Sequence, residues 1–395
     1  MIRFGIIGAG GIAEVMSKTI RMMNENGDRR IQLYGIASRS LEKAEEFAKK
    51  NGMMKAYGSY EDMVSDPDID LIYIAVPHSH HYEAVKLCLA HGKATLVEKA
   101  FTANAKQAKE LISLAEEKDV FITEAIWTRY QPMRRMIDET LKSEIAGEPK
   151  LLCANRGQPL THIPRLVRPE LAGGALLDLG VYALNFAEMI FGRTASVNAI
   201  CTKNDNGVDM SEAYTLTFEN GRLAALWSSA EAALDDDGVI YCTKGYIRIR
   251  NINNPEAMMI YDTNHQLIKT VRAPEQLTGY EYQLREVVEA LEAGKTECAT
   301  ATMRFAFPCR LTKRDGGIRC WLDRRSFLWT VKSVRAVPPA GNVWSAVSLR
   351  QTPSVWTDEA QQMPPSASAA VCACPPARQA HESSSVGMTI STRTS

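Results

Sequence analysis

Over the first 125 residues, short apolar runs alternate with segments whose apolar positions recur at helical spacing. Ile2–Ile7, Ile31–Ala37, Leu71–Val76, Ala94–Glu98 and Val120–Glu124 are dominated by hydrophobic residues, which predicts strands covered on both faces. After the first of them, Ile12, Val15, Met16, Thr19, Ile20 and Met23 repeat every three or four positions with polar residues between, as an amphipathic helix requires. Leu41–Lys50 and Ala103–Lys118 have the same character. Strand and helix in strict alternation predict a doubly wound α/β domain with a parallel sheet over residues 1–124.

The texture changes beyond residue 150. Ser196–Thr202, Tyr214–Phe218, Leu223–Ser229, Val239–Thr243 and Tyr246–Arg250 follow closely on one another, separated by Gly, Asn and Asp. This spacing predicts a large, mostly antiparallel open sheet. Glu281–Ala293 then reads as a helix ended by Gly294, so residues 125–298 form a second, α+β domain.

Residues 299–395 break the pattern. They hold eight of the 17 prolines and four of the six tryptophans, and no helical or strand period persists. The composition is that of a disordered tail or, as the abrupt change in residue usage favours, of out-of-frame sequence. We assign this segment no function.

Length agrees with two domains, each able to bury a core. No apolar run approaches the roughly 18 residues of a membrane span, and Met1–Ile7 leads straight into a glycine turn. Both point to a cytoplasmic chain without a membrane partner. Formal charge is zero overall, but residues 301–395 carry 12 Lys+Arg against 5 Asp+Glu, leaving an acidic body. An acidic body excludes nucleic acid as the expected partner. Cys88, Cys153, Cys201, Cys242 and Cys298 are scattered singly and form no metal pattern.

The chemistry lies where strands end. Gly8-Ala9-Gly10-Gly11-Ile12-Ala13 follows the first strand and opens the first helix, the context in which a glycine fingerprint means dinucleotide binding. Gly8 permits the turn, and Gly10 lets the backbone approach a pyrophosphate. Ala13 keeps helix and strand close, and the helix N-terminus attracts the phosphates. The next strand ends in Ala37-Ser38-Arg39-Ser40, without the acid that accepts a ribose 2′-hydroxyl in NAD sites. Ser38 and Ser40 can donate to a 2′-phosphate and Arg39 can pair with it, so NADP(H) is favoured over NAD(H). The other reading of Arg39 is a surface residue at a strand end.

Pro77-His78-Ser79-His80-His81 closes a further strand. The histidine spacing is poor for a metal, and no metal is expected; lining the nicotinamide ribose or capping the next helix are the alternatives. Glu98-Lys99-Ala100 ends the following strand, where Lys99 either holds a substrate oxygen or pairs with Glu98. In Gly173-Gly174-Ala175-Leu176-Leu177-Asp178-Leu179-Gly180-Val181-Tyr182, a helix over Ala175–Ile190 would put Asp178 and Tyr182 one turn apart. They could present a carboxylate and a phenol to one pocket, or belong to an ordinary helix with Tyr182 half-buried.

Together these segments, over residues 1–298, resemble the Gfo/Idh/MocA oxidoreductases. Ser38-Arg39-Ser40, the run Glu124-Ala125-Ile126-Trp127-Thr128-Arg129-Tyr130 and Tyr182 are most similar to the dimeric dihydrodiol and D-xylose dehydrogenase branch. The resemblance implies Lys99 and Tyr182 as a catalytic pair, with Asp178 contacting substrate or orienting its partners. It also implies NADP(H), a sugar-like or cyclic diol substrate, and a possible homodimer through the open sheet. Gly8, Gly10, Gly11, Ile12, Ala13, Ser38, Arg39, Pro77, His78, His81 and Glu98 are then expected at the cofactor, and Trp127 and Arg129 at the substrate. In the expected mechanism Tyr182 protonates the carbonyl oxygen that receives hydride, while Lys99 keeps the phenol acidic and stabilises alkoxide charge. Two rivals use the same fold: transient oxidation without net redox change, and a non-catalytic dinucleotide sensor. The family's Glu-Lys-Pro is Glu-Lys-Ala here, which puts the backbone after Lys99 in question.

Overall fold

β1 (Ile2–Ile7), β2 (Ile31–Ala37), β3 (Lys55–Tyr57), β4 (Leu71–Ile74), β5 (Ala94–Glu98) and β6 (Ile122–Ala125) form one sheet in the order β3-β2-β1-β4-β5-β6. Every pairing in it is parallel. The computed structural model describes residues 1–298 and three short strands beyond them, Cys309–Leu311, Arg319–Asp323 and Ser326–Lys332. Apart from those strands, the expected frame change or tail over 299–395 lies outside the described residues.

The periodic segments become the crossovers. α1 (Gly11–Glu25) buries Ala13, Met16, Ile20 and Met23, while Val15, read as part of the same stripe, is exposed at its edge. α2 (Leu41–Asn51) starts at Ser40, whose hydroxyl accepts from the Lys43 N–H, and stops at Gly52 in the left-handed region. α3 (Tyr60–Val64), α4 (His78–Ala90) and α5 (Ala105–Lys118) complete the layers. β3 went unread because three residues carry no period. From β1 the chain runs outward to β2 and β3, then returns to β4 on β1's other side. The ends of β1 and β4 therefore diverge, which opens a crevice at the carboxyl edge of the sheet.

α6 (Pro132–Lys142) leads into an eight-stranded sheet formed by β7 (Pro149–Gly157), β8 (Thr194–Lys203), β9 (Asp209–Phe218), β10 (Leu223–Ser229), β11 (Gly238–Cys242), β12 (Gly245–Arg250), β13 (Ala257–Asp262) and β14 (Leu267–Arg272). Its order is β14-β13-β12-β11-β7-β10-β9-β8, antiparallel except where β7 meets β10. Strand alternation gives it one packed and one open face. Leu152, Leu226, Ile240 and Ile247 on the packed face meet Ala183, Phe186 and Phe191 of α7 (Val181–Phe191).

Three features differ from the sequence reading. The helix expected over Ala175–Ile190 is divided: Leu176–Gly180 is a π turn and α7 follows it. Capture of backbone groups from outside explains the wider turn, because Asp209 accepts from the Leu176 N–H and Lys99 donates to the Asp178 carbonyl. The whole stretch Pro169–Phe191 is also apolar enough by composition to suggest a membrane span, against the sequence reading, yet it is largely buried inside the protein. Lastly, α8 (Glu281–Glu292) packs Leu284, Val287 and Val288 into the core that holds Phe4, Met16 and Ile20. The last helix of the expected second domain thus closes the first.

Candidate active site

Gly8 makes the turn at the crevice. Its φ is +107°, its N–H donates to the Ala37 carbonyl at 2.9 Å, and a Cβ there would stand 2.5 Å from the Ala75 carbonyl oxygen. Only glycine combines that dihedral with that approach between the ends of β1 and β4. A Cβ at Gly10 or Gly11 would meet nothing within 4 Å, so the backbone there is open to a large ligand group. Ile12 is partly buried and Ala13 fully buried, which keeps α1 on the sheet with its first-turn N–H groups facing the crevice mouth. At the end of β2, Ser38 accepts from the Ser40 N–H at 3.4 Å, and Arg39 is exposed. These residues fit the pyrophosphate and adenosine half of a dinucleotide.

The histidines do something else. Pro77 precedes α4, and neither His78 nor His81 caps that helix with its side chain. His78 lies between the carbonyls of Ala172 (3.2 Å) and Lys99 (3.1 Å). His81 lies between those of Val76 (2.9 Å) and Ala100 (2.9 Å). Burial pushes His78 down to about 3 and His81 to about 4. A neutral ring carries one N–H and donates to one of its two carbonyls, so each histidine braces the main chain of residues 99–101 or the segment facing it. The Lys99–Ala100 peptide in that turn is cis.

Glu98 points inward. Its carboxyl is buried, accepts from the Tyr73 hydroxyl, and is pushed up to about 7 by desolvation. Lys99 turns the other way and does not pair with Glu98. Its Nζ donates to Asp178 Oδ1 at 3.0 Å and to the Asp178 carbonyl at 2.9 Å. Nη1 of Arg165 donates to the same Oδ1, also at 3.0 Å. Although burial opposes it, the charges of Lys99 and then Arg165 hold the Asp178 carboxylate far below its ordinary range. The Lys99 ammonium also stands over the ring of Tyr182, 5.2 Å from its centre. The two π-turn neighbours singled out in the sequence therefore meet around one lysine.

Tyr182 is buried, and desolvation, followed by the charges of Glu98 and Asp178, raises its phenol well above the ordinary value. Arg156 is the cation that opposes this shift. Burial and the two carboxylates outweigh the cations around this phenol. The phenol keeps its proton at neutral pH and has one to give.

Ala100, Ile126, Trp127, Leu177, Val181 and Tyr182 form an apolar cluster drawn from both domains, with Tyr280 against it. Trp127 and Tyr280 stack with ring centres 4.3 Å apart and planes 9° from parallel. The indole N–H donates to Asn253 at 3.2 Å. Trp127 thus lies in the cluster that holds Tyr182. Arg129 is nine-tenths buried and its Nε donates to Asn185 of α7 at 2.5 Å. Sequence reasoning missed Tyr280, Arg165 and Arg156. Tyr280 had one signal, its place after the Thr278-Gly279 turn before a periodic segment; Arg165 sits in a loop without period. Among the described residues no three His, Cys, Asp or Glu side chains are grouped so as to hold a metal.

Comparison with known proteins agrees with this fold. Residues 2–125 match the "Oxidoreductase family, NAD-binding Rossmann fold", and residues 130–248 match the "GFO/IDH/MocA C-terminal domain". Trans-1,2-dihydrobenzene-1,2-diol dehydrogenase from Bos taurus is 33% identical over 304 residues, spanning 75% of this chain and 90% of that protein. Its counterpart from Xenopus tropicalis is 41% identical over 220 residues, 55% of this chain and 67% of that one. Among solved structures, a 3-ketoreductase from Actinomadura kijaniata in complex with NADP and TDP-benzene superposes with a TM-score of 0.67 at 23% identity, over 74% of this chain and 90% of that chain. Levoglucosan dehydrogenase in complex with NADH does so with a TM-score of 0.70 at 17% identity, over 77% and 93%.

Proposed function

The chain belongs to the Gfo/Idh/MocA oxidoreductase family, and from that premise we propose that it is an NADP(H)-dependent dehydrogenase acting on a cyclic diol or sugar-like substrate. The observation that carries this reading is the meeting of Lys99, Asp178 and Tyr182 at the carboxyl edge of the first sheet, walled by Trp127 and Tyr280. Gly8, Gly10 and Gly11 would hold the pyrophosphate, with Ser38 and Arg39 at the 2′-phosphate, where no acid competes. The bound nicotinamide supplies or takes up the hydride.

This chain's own residues do the rest. In the reducing direction Tyr182 donates its proton to the carbonyl oxygen of the substrate, while Lys99 donates a hydrogen bond to that oxygen and offsets its developing negative charge. Asp178 holds Lys99 in place beside the ring. His78 and His81 fix the turn from which Lys99 projects. The stacked rings of Trp127 and Tyr280 offer a flat apolar surface to a carbocycle or to the C–H face of a sugar. The dihydrodiol dehydrogenase relatives support the diol; the solved relatives in complex with NADP and with NADH leave cofactor choice to Ser38 and Arg39.

A homodimer through the second sheet belongs to the same reading. Leu151, Leu223 and Tyr241 lie side by side on the open face, Ile200 and Trp227 flank Ala213 on either side, and all five large residues are exposed. An apolar row of this kind on an open sheet favours a second copy.

The test is nicotinamide absorbance with NADP⁺ and, separately, trans-cyclohexane-1,2-diol and D-xylose. Reduction of NADP⁺ in step with diol or sugar consumption is expected. A product formed with no net NADP⁺ reduction would favour transient oxidation instead.

A further inference from the structure

We propose that Arg165 is a specificity residue that holds the oxygen on the carbon next to the reacting one, so that the site selects vicinal diols and α-hydroxy carbonyls over isolated alcohols. This rests on the dehydrogenase reading above and deepens it. Lys99 Nζ and Arg165 Nη1 converge on one atom, Asp178 Oδ1, each from 3.0 Å. The two cationic donors therefore stand no more than twice that distance apart, a spacing that two oxygens on adjacent carbons can bridge.

The two cations are not equivalent. The Lys99 side chain is 15% exposed and that of Asp178 6%, whereas that of Arg165 is 39% exposed, on the rim. Its hydrogen bond to Asp178 uses Nη1, and a guanidinium carries five N–H donors in a fixed fork, so further donors remain for a ligand. Nor is the arginine on a loose strap. Leu166, beside it, is fully buried, and a Cβ at Gly173 would stand 2.5 Å from the carbonyl oxygens of both Arg165 and Leu166. The glycine pair before the π turn thus lets this loop close on the segment that carries Asp178 and Tyr182. Two cations against one carboxylate also leave a positive excess, which matches a neutral polyol whose reacting oxygen gains negative charge.

The purified full chain with NADP⁺ is assayed on trans-cyclohexane-1,2-diol and on cyclohexanol, which lacks the second oxygen. Wild type is expected to prefer the diol. Arg165→Met is expected to lower kcat/KM for the diol by about 10- to 100-fold, the range for a lost charged hydrogen bond, mostly through KM. Turnover of cyclohexanol falls at least tenfold less than that of the diol, the NADPH titration is retained, and Arg165→Lys recovers part of the diol preference. Equal losses on both substrates, or an unaffected diol, would overturn the proposal while leaving the dehydrogenase reading in place. Should Arg165→Met lose NADPH binding, Arg165→Gln is read in its stead with the same two outcomes. Wild type that binds NADPH but oxidises neither compound removes the cyclic-diol reading, and this inference with it.

Discussion

Nζ of Lys99 stands 5.2 Å from the centre of the Tyr182 ring, held over its face rather than against Glu98, the residue before it in the chain. Asp178 is what draws it there, through a carboxylate oxygen and a main-chain carbonyl. The end of β5 from one domain and the π turn from the other are locked by this contact. A proton donor and a cation are thereby brought to one place, which carbonyl reduction requires.

Lys99→Met keeps the stem and removes the charge. NADPH binding is expected to survive, because the dinucleotide crevice is built from Gly8–Ala13 and the end of β2, while kcat falls by roughly two to four orders of magnitude. Steady-state kinetics beside a fluorescence titration check both halves. Retained turnover removes Lys99 from the mechanism.

Tyr182→Phe deletes one hydroxyl from a buried ring and leaves the stacking wall intact. Turnover is expected to fall by roughly two to four orders of magnitude with KM little changed. The raised phenol keeps wild-type activity from declining through loss of this proton across neutral pH. A pH profile showing loss of a tyrosine proton below pH 8 would contradict that.

Much of this was legible in the sequence because it depends on period and punctuation. Buried runs gave the first sheet, and a glycine turn after β1 marked the crevice. Lys99, Asp178 and Tyr182 were visible as polar residues stranded at strand ends or among apolar text. What could not be read depends on contacts distant along the chain. His78 and His81 differ in no local feature from ligand-binding histidines; only the carbonyls of residues 76, 99, 100 and 172 reveal their task. Arg129 shows its partner only once α7 packs beside it, and the π turn exists because groups from elsewhere claim its backbone.

Glu98→Gln tests the buried carboxyl through stability. In the folded chain its pKa is about 7, against an ordinary 4.5, because burial disfavours the charged form. The folded state binds the extra proton, so the stability tied to it is full below pH 4.5 and is lost as pH rises through 7. Across that window roughly 3 kcal/mol is at stake as an upper bound. Glutamine, which cannot ionise, should therefore gain in Tm relative to wild type between pH 5 and 8, as measured by thermal denaturation. A constant difference would show that Glu98 stays ionised or exposed.

Gly8→Ala places a Cβ 2.5 Å from a carbonyl oxygen at a φ of +107°. Stability should drop by about 1–3 kcal/mol. NADPH affinity should weaken with it, since the ends of β1 and β4 must part. Calorimetry with a parallel titration reads both, and an unchanged Tm would mean that the turn is looser than this contact.

The most direct measurement is a fluorescence titration of the purified full chain with NADPH and with NADH. Saturable binding is expected, with NADPH about tenfold tighter or more, and with that margin lost in Arg39→Asp. Binding of neither dinucleotide, or tighter binding of NADH by wild type, would contradict the account.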